Sequence, residues 1–491
     1  MSSRGDPRLP VLVGIGTCSQ REDDFARARE PLDLMLEAVR LAGIDAGGAH
    51  TLTGVGRIAV PKGRWRYRNP AGEIARAIGA PSATTVLASV GVLQQSLIGD
   101  ACSRIAVGEI DAALVVGGDA GHRLLRAKIA GQRAGERQQE AQPDVSLEPE
   151  DDLRHPAEVR AGIDLPVPLY AILESAWRAK WGWSVDAHRD RLAGMLERFS
   201  EIAVDNPDAW RRTRVSAAEV REPSQRNPLQ AFPYTRHHCS NWSVDQAAAL
   251  LLCAAGKAEA LGIPRARWVY PWASTESSHM VAVSARADLS ACDGARLAGR
   301  AALAEGGIED PSQLDLVELY SCFPIAVEVY AHELGLPLTR DLTVTGGMPF
   351  AGGPYNNYVL QATCRMARLI REGKGRNGLV SSVSGILTKQ GYGLWAKEAS
   401  SAGFVFNDVS AETARLQAIK AVADGYRGPA RVAGFTVVHE KSSPRALVLA
   451  DTPDGRRTLA SSTDPTVTRR MQADECCGAA ISIDSDVFTM A

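Results

Sequence analysis

The sequence predicts an α/β fold of two similar halves followed by a small β-rich domain. Three observations carry this. Apolar strand-like runs alternate with segments of helical periodicity on both sides of residue 266, a polar stretch interrupts the first half, and beyond residue 405 the chain breaks into short alternating runs. A chain of 491 residues holds enough material for several domains around a large core.

The opening PVLVGIGTC reads as a buried strand, and PLDLMLEAVRLAG after it has apolar positions at helical spacing. TTVLAS, VLQQSLIGDACSRIAVG and DAALVVGGD repeat the theme as strand, helix and strand. Such alternation implies right-handed crossovers and sheets covered on both faces. From about 121 to 163 the rhythm stops, and GQRAGERQQEAQPDVSLEPEDDLRHP reads as an inserted, solvated excursion. Helical patterns resume in LYAILESAWRAKWGW and RLAGMLERFSEIAVDNPDAW, a helical loop domain at about 121–235 laid over the core. CSNWSVDQAAALLLCAAGKAEALG then returns to the core, which closes a first half at 1–265. The second half, 266–404, runs through WVYPWASTES, LAGRAALAEGG, LDLVELYSCF, PIAVEVYAHELG, MARLIREGK and NGLVSSVSG in the same strand and helix order. ARVAGFTVVHE, RALVLADT, DGRRTLASST and GAAISIDSDVF form the separate 405–491 domain, with turn signals spaced as in a small barrel. Limited proteolysis is expected to begin in 131–155 and to continue near 400–410.

With 55 basic and 57 acidic residues the net charge is -2, which provides no global field for nucleic acid or for an anionic membrane. No apolar run reaches membrane-spanning length, so stable membrane insertion is not expected and the chain reads as cytoplasmic. Nine cysteines in mostly apolar surroundings suit buried thiols in a reducing compartment. His237, His238 and Cys239 are adjacent and cannot readily converge on one ion, so neither a structural metal nor a bound cofactor is expected.

Five segments in order, SVGVLQQSLIGDACSRIAVGEIDAALVVGGDA, SNWSVDQAAALLL, DLVELYSCFPIAVEVY, TVTGGMPFAGGPYNNY and SVSGILTKQGYG, resemble the thiolase superfamily over residues 9–400. The likeness is closest to thiolase-like protein type 1, an acetyl-CoA acetyltransferase-like branch with an additional C-terminal domain. The resemblance implies a five-layered α-β-α-β-α core of two similar halves that handles acyl-CoA in lipid metabolism. It also implies a tail of the oligonucleotide/oligosaccharide-binding type. Thiolase chemistry puts a thiolate at a helix N-terminus, where amide donors and the helix dipole lower its pKa. Counted back from Gly108, that nucleophile position falls at Gly91. The family's histidine falls at Gly353, and the acid/base cysteine loop reads SSVSGIL around Ser384 and Gly385. Cys102, about three helical turns beyond Gly91, cannot substitute.

The expected pocket loops are therefore Gly91, Ser240–Asn241, Ser321, Gly346–Gly347, Gly352–Gly353 and Ser384–Gly385. Tyr320 and Tyr355 are the side chains there with a titratable proton and reach, and are the catalytic candidates. Cys322, in a loop where thiolases carry Asn-Glu-Ala-Phe, reads as a packing residue. His237 and His238 read as capping or surface residues, and the basic run Arg123, Arg126, Lys128, Arg133 and Arg137 as a solvated loop.

Three functions remain in view: an acyl-CoA-handling, acyltransferase-related protein without cysteine-dependent chemistry, a non-catalytic acyl-CoA or lipid binder, and a retro-aldol lyase on β-hydroxyacyl-CoA using tyrosines. The ligand in each is an acyl-CoA thioester, with no resident cofactor. The resemblance leaves a monomer or a homodimer open, because thiolases pair through a sheet edge that the additional domain could cover. Gly91→Cys is expected to be acylated slowly, if the pocket is open, and not to turn over. Thiolysis of β-ketoacyl-CoA by free CoA should stay near background in a spectrophotometric assay. A thiol-directed reagent should find no single fast-reacting cysteine at the site, and either a robust rate or such a cysteine would refute the reading of Gly91.

Overall fold

The computed structural model describes residues 6–163, 165–439 and 443–490. The first half begins with strand β1 (Pro10–Gln20) and helix α1 (Pro31–Asp45), followed by β2 (Arg57–Pro61), α2 (Pro70–Ala77), β3 (Thr84–Ala88), α3 (Gln94–Ala106) and β4 (Ala112–Ala120). The loop domain then supplies α4 (Gly121–Ile129), β5 (Val145–Leu147), α5 (Pro156–Arg160), α6 (Pro166–Lys180), α7 (Val185–Asp205), α8 (Ala217–Arg221), β6 (Leu229–Ala231) and β7 (Tyr234–Thr235). The chain re-enters the core through β8 (Asp245–Ala254) and α9 (Ala255–Ala260). The second half contributes β9 (Tyr270–Ser277), α10 (Asp293–Glu305), β10 (Leu316–Glu318), α11 (Pro324–Leu334), α12 (Tyr358–Arg371), β11 (Asn377–Ser384), β12 (Lys389–Ala396), β13 (Val405–Asp408) and α13 (Ser410–Leu416). The last elements are β14 (Arg427–His439), β15 (Pro444–Asp451), β16 (Arg457–Ser462), α14 (Pro465–Ala473), β17 (Ala480–Asp484) and β18 (Val487–Met490).

Two mixed sheets make the core. The first has the order β1-β8-β4-β2-β3-β5 and the second β10-β11-β12-β9-β13. β4 and β8 are buried along their whole length, which is why AALVVGGDA and DQAAALLLCA read as continuous apolar runs rather than as alternating ones. Helices α1 and α2 pack on the outer face of the first sheet, and α10 and α11 cover the second half from outside. Between the sheets lie α3 and α12, each touching strands of both. The result is five layers, as expected from the sequence. Apolar residues on α3 recur at Leu97, Ile98, Ala101, Cys102 and Ile105, so this helix has the wide apolar surface that a central position requires. Its Gly99 is needed for close approach, since a Cβ there would lie 2.7 Å from Ser274 Oγ.

The tail forms a small closed barrel. Its strands run β15-β16-β18-β17-β14, and β14 pairs back onto β15. β6 and β7 of the loop domain extend the same sheet beyond β14. The Phe435 amide donates to Ser175 Oγ at 2.8 Å, and Arg178, 1% exposed, donates through Nε to Glu475 at 2.7 Å. Loop domain and barrel thus share a buried polar seam.

Sequence texture misplaced one boundary. Residues 405–408, assigned to the tail, pair in parallel with β9 and belong to the second core sheet. A four-residue strand on a sheet edge is too short to show its period. The polar insert is also more ordered than a solvated excursion. Val145–Leu147 pair in parallel with β3, and Glu136, Gln139 and Asp144 accept hydrogen bonds from the backbone amides of Arg66, Asn69 and Thr85. The strand therefore covers the β3 edge of the first sheet with the chain's own insert, a role that the sequence reading gave to the C-terminal domain.

These contacts move the expected site of first proteolysis to 148–154, an exposed strap that forms no hydrogen bond with other described residues. Protection of 131–147 with cleavage in the strap, read by mass spectrometry of early fragments, checks this. Glu475→Ala strands the Arg178 guanidinium in the seam and should cost roughly 2 kcal/mol of stability, measurable as a lowered Tm.

Candidate functional site

The loops singled out by sequence sit at the N-terminal ends of the two central helices. Gln94, the first residue of α3, donates through Nε2 to Asn356 Oδ1 at 3.1 Å and accepts from the Val359 amide at 2.8 Å, which ties that end of α3 to the start of α12. Around this tie the candidate residues fall into two groups.

The first group joins three loops by backbone bonds. The Ser240 amide donates to Cys322 O at 3.0 Å, the Asn241 amide to Met348 O at 3.2 Å, and the Gly353 amide to Asn241 O at 3.0 Å. Ser321 Oγ accepts from the Met348 amide at 3.0 Å. Gly353 is held so close to Ser240 that a Cβ would lie 2.0 Å from its hydroxyl oxygen, and Gly352 has φ of 105° with Gln246 Oε1 in the way of any side chain. Gly346 and Gly347, with φ of 95° and 75°, let Ala203 and Phe199 of α7 come down onto the turn. These glycines serve the packing of the loop domain onto the turn. Ser240 Oγ, Asn356 Nδ2 and both side-chain polar atoms of Asn357 are buried without a hydrogen-bond partner among the described residues. Such atoms are costly unless a ligand or solvent satisfies them.

Below this group sits a residue that sequence reasoning missed. Glu318, fully buried at the end of β10, accepts from the Val344 and Thr345 amides at 2.7 and 2.9 Å and from the Thr343, Thr345 and Tyr358 hydroxyls. Burial pushes its carboxyl up, and these donors oppose that shift. A glutamate in an otherwise apolar strand, LDLVELY, is the signal that could have marked it.

The second group surrounds Gly91. Its φ of 110° favours glycine, and a Cβ there would lie 2.9 Å from Pro149 and 3.3 Å from Leu153 of the strap. The space a nucleophilic side chain would use is already filled, so the open approach on which acylation of Gly91→Cys depended is not present. Ser384 and Lys389 pair across the turn that joins β11 to β12. The Gly385 turn is held by Arg286, which donates to Ile386 O at 2.5 Å. Lys389 Nζ donates to Gly91 O at 3.2 Å.

The tyrosines separate. Tyr320 is 7% exposed, stands edge-on to the Tyr358 ring with centroids 5.6 Å apart, and is pushed up by burial, so its hydroxyl keeps its proton. Tyr355, half-buried with φ of 50°, lies edge-on to Trp242 at 6.3 Å, with the Arg64 guanidinium 5.7 Å from its ring centroid. Cys322 is buried and its thiol is pushed up to about 12 by burial, which fits packing rather than attack. Cys102, fully buried in α3, is likewise pushed up by burial.

A groove of about 1190 Å³ opens between the loop domain and the first group. Ser240, Asn241, Trp242, Phe323 and Pro349 are part of its lining. Arg21, Arg211, Arg212, Arg226 and Arg236 line the rest, against two glutamates, Glu219 and Glu222. Arg211 is positioned by donating its amide to Phe350 O at 2.8 Å, and its Nη1 lies 3.3 Å from His237 Nδ1. His237, in the groove wall, is pushed down to about 4 by burial and by the neighbouring arginines and is neutral, while His238 is buried against Thr235. The Arg21 guanidinium lies over Trp210 at 4.7 Å. Two arginines of the basic run considered from sequence are tied down elsewhere. Arg123 is buried on the Ala28 and Gly135 carbonyls, and Arg137 pairs with Glu30 and Asp33. Arg211, Arg212 and Arg226 escaped notice because RRTRV and SQRNP carry no apolar periodicity. Adjacent arginines next to a tryptophan were the available signal.

Away from the groove, Glu174, His188 and Glu328 converge in the core, with His188 Nε2 2.7 Å from Glu174 Oε1 and the Tyr234 hydroxyl donating to Glu174 at 2.5 Å. Metal-bound histidines normally donate their second N–H to a carbonyl or carboxylate. His188 Nδ1 has no partner among the described residues. The Glu328 carboxyl, pushed up by burial and by the charge of Glu174, keeps its proton, so the cluster fits a hydrogen-bonded network joining α6, α7 and α11 better than an ion site.

No family model matches the sequence. Two curated acetyl-CoA acetyltransferases are similar over part of the chain. The one from Methanocaldococcus jannaschii is 27% identical over 167 residues, covering 34% of this chain and 40% of the relative, and the one from Methanothermobacter thermautotrophicus is 30% identical over 179 residues, covering 36% and 43%. The match thus spans about two fifths of those relatives. Among solved structures, a monomeric SCP2-thiolase-like protein type 1 from Mycobacterium smegmatis matches with a TM-score of 0.83 and 26% identity, over 99% of this chain and all of that one. An Ltp2-ChsH2(DUF35) aldolase, TM-score 0.60 at 17% identity over 80% of this chain and 99% of that one, shares the fold. So does an acetyl-CoA acetyltransferase from Syntrophomonas wolfei, TM-score 0.55 at 18% identity over 79% and 99%. Five layers, two similar halves, a loop domain over the groove and a C-terminal barrel lead to one conclusion: this chain has the thiolase fold and is similar in plan, over nearly its whole length, to an SCP2-thiolase-like protein type 1.

Proposed function

We propose that the chain binds acyl-CoA thioesters in the arginine-walled groove and does not carry out cysteine-dependent thiolysis or condensation. The observation that carries this is the make-up of the groove wall, where five arginines and the Ser240 hydroxyl, which has no partner among the described residues, line one cavity. Arginine matches phosphate oxygens through its planar donor fork, so this wall suits a nucleotide phosphate. Ser240 can donate to a thioester carbonyl. The groove also exceeds the roughly 300–1,000 Å³ of ordinary small-molecule pockets, as a long nucleotide thioester requires. Gly91, with its Cβ space filled by Pro149 and Leu153, supports the absence of acyl transfer to the chain at that position. Coverage of the β3 edge by β5 supports a monomer as the working unit.

A second reading, retro-aldol cleavage of a β-hydroxyacyl-CoA, is supported by Tyr355 beside the groove residue Trp242. Turnover of such a substrate, lost on Tyr355→Phe, would select it. Tyr320 does not line the groove, and Tyr320→Phe should leave turnover unchanged.

Calorimetric titration with acetyl-CoA tests the main reading. Arg211→Ala and Arg236→Ala should each weaken binding by about tenfold, with the loss shrinking at high salt. Dephospho-CoA thioesters should be less sensitive to the same substitutions. Unchanged affinity in both variants would place the nucleotide elsewhere.

A further inference from the structure

Beside the start of α3 lies a pair of buried, chemically capable side chains that thioester binding does not use. Lys389 opens β12, is 3% exposed, and donates through Nζ to Gly91 O at 3.2 Å. Glu276 on β9 is 8% exposed and accepts from Ser96 Oγ in the first turn of α3 at 2.5 Å. The strand register relates them. Glu276 pairs with Gly391, two residues after Lys389, so both side chains stand on the same face of the second sheet as diagonal neighbours. Gly391, between them, has no side chain, and a Cβ there would lie 3.0 Å from Gln95 of α3.

Beside Lys389 and Gly91 runs the 148–154 strap, whose Glu150 and Asp151 charges act on Lys389. Its ends are fixed by the Ser89 amide on Leu147 O and, beyond His155, by the Ser284 amide on Glu158 Oε1 at 2.7 Å. Between them the strap forms no hydrogen bond with other described residues, and it meets Gly91 through Pro149 and Leu153. It can therefore lift without breaking a backbone ladder.

We propose that Lys389 is the amine nucleophile of a carbonyl-binding centre, with Glu276 as its proton donor and the 148–154 strap as its lid, and that the ligand is a β-oxoacyl thioester attacked at its ketone carbon. The inference rests on the acyl-CoA reading for the thioester end alone. Addition of the amine to the ketone gives a carbinolamine. Loss of its hydroxyl with a proton from the Glu276 carboxyl gives water and a protonated imine, and the carboxylate then takes the proton back from nitrogen. One C=N bond forms, one water leaves, and no co-reactant is consumed. Burial supports these roles. It pushes the Lys389 ammonium down against the charges of Asp151, Glu150 and Glu276, and it pushes the Glu276 carboxyl up to about 7.

The test uses the full chain with acetoacetyl-CoA and sodium cyanoborohydride, followed by peptide mapping. The expected product is one reduced adduct per chain on Lys389, absent in both Lys389→Met and Lys389→Arg, the second of which keeps the cation in place. Glu276→Gln should slow adduct formation by about 100-fold. Leu153→Ala should speed it. Acetyl-CoA affinity, measured in parallel, should be unchanged in the Lys389 variants. The acetoacetyl thioester of N-acetylcysteamine, which lacks the nucleotide, separates the two claims. Labelling of Lys389 by this probe without acetyl-CoA binding would sink the groove reading and keep this one, whereas intact acetyl-CoA binding with adducts only on surface lysines would overturn the lysine centre.

Discussion

Two helices buried between two sheets set the terms for everything else in this protein. Because α3 and α12 touch strands on both sides, neither can shift without disturbing both halves. Close-packed interiors resist such movement. Their N-terminal ends are therefore fixed points, bound to each other through Gln94, Asn356 and Val359. Each loop of the site hangs from one of these ends or from a strand that packs against them. The Glu318 carboxylate extends the same logic outward, since it holds the 343–347 turn by its amides and lets α7 settle on Gly346 and Gly347.

What was legible in the sequence follows from how local each signal is. β4, β8, α1 and α3 announce themselves because their apolar spacing is complete within a dozen residues, whereas the five-layer plan came only from the thiolase resemblance of the ordered segments. β5 and β13 are three and four residues long and exist only through partners 59 and 132 positions away in chain order, as in the pairs Val86–Val145 and Ala273–Val405. No periodicity can reveal such strands. The glycine loops at 346–353 were placed at the pocket by resemblance, and the structure gives those glycines a second duty in packing. The groove arginines were invisible for the opposite reason. Polar loop residues carry no pattern until the fold brings Arg21, Arg211 and Arg236 to one wall.

Gly91 lacks a side chain, and its surroundings leave no room for one. A glycine with φ of 110° keeps the backbone turn that the position demands, while Pro149 and Leu153 occupy the space a side chain would need. The strap that supplies them belongs to the same insert that covers the β3 edge through β5. One excursion thus closes the sheet edge and fills the side-chain space at Gly91. The two effects are mechanically linked, because the strand pairing at Val145–Leu147 fixes where the strap begins. A chain that lost the insert would regain the edge and the space together. Residues 131–154 therefore control the sheet edge and the space at Gly91 as one unit.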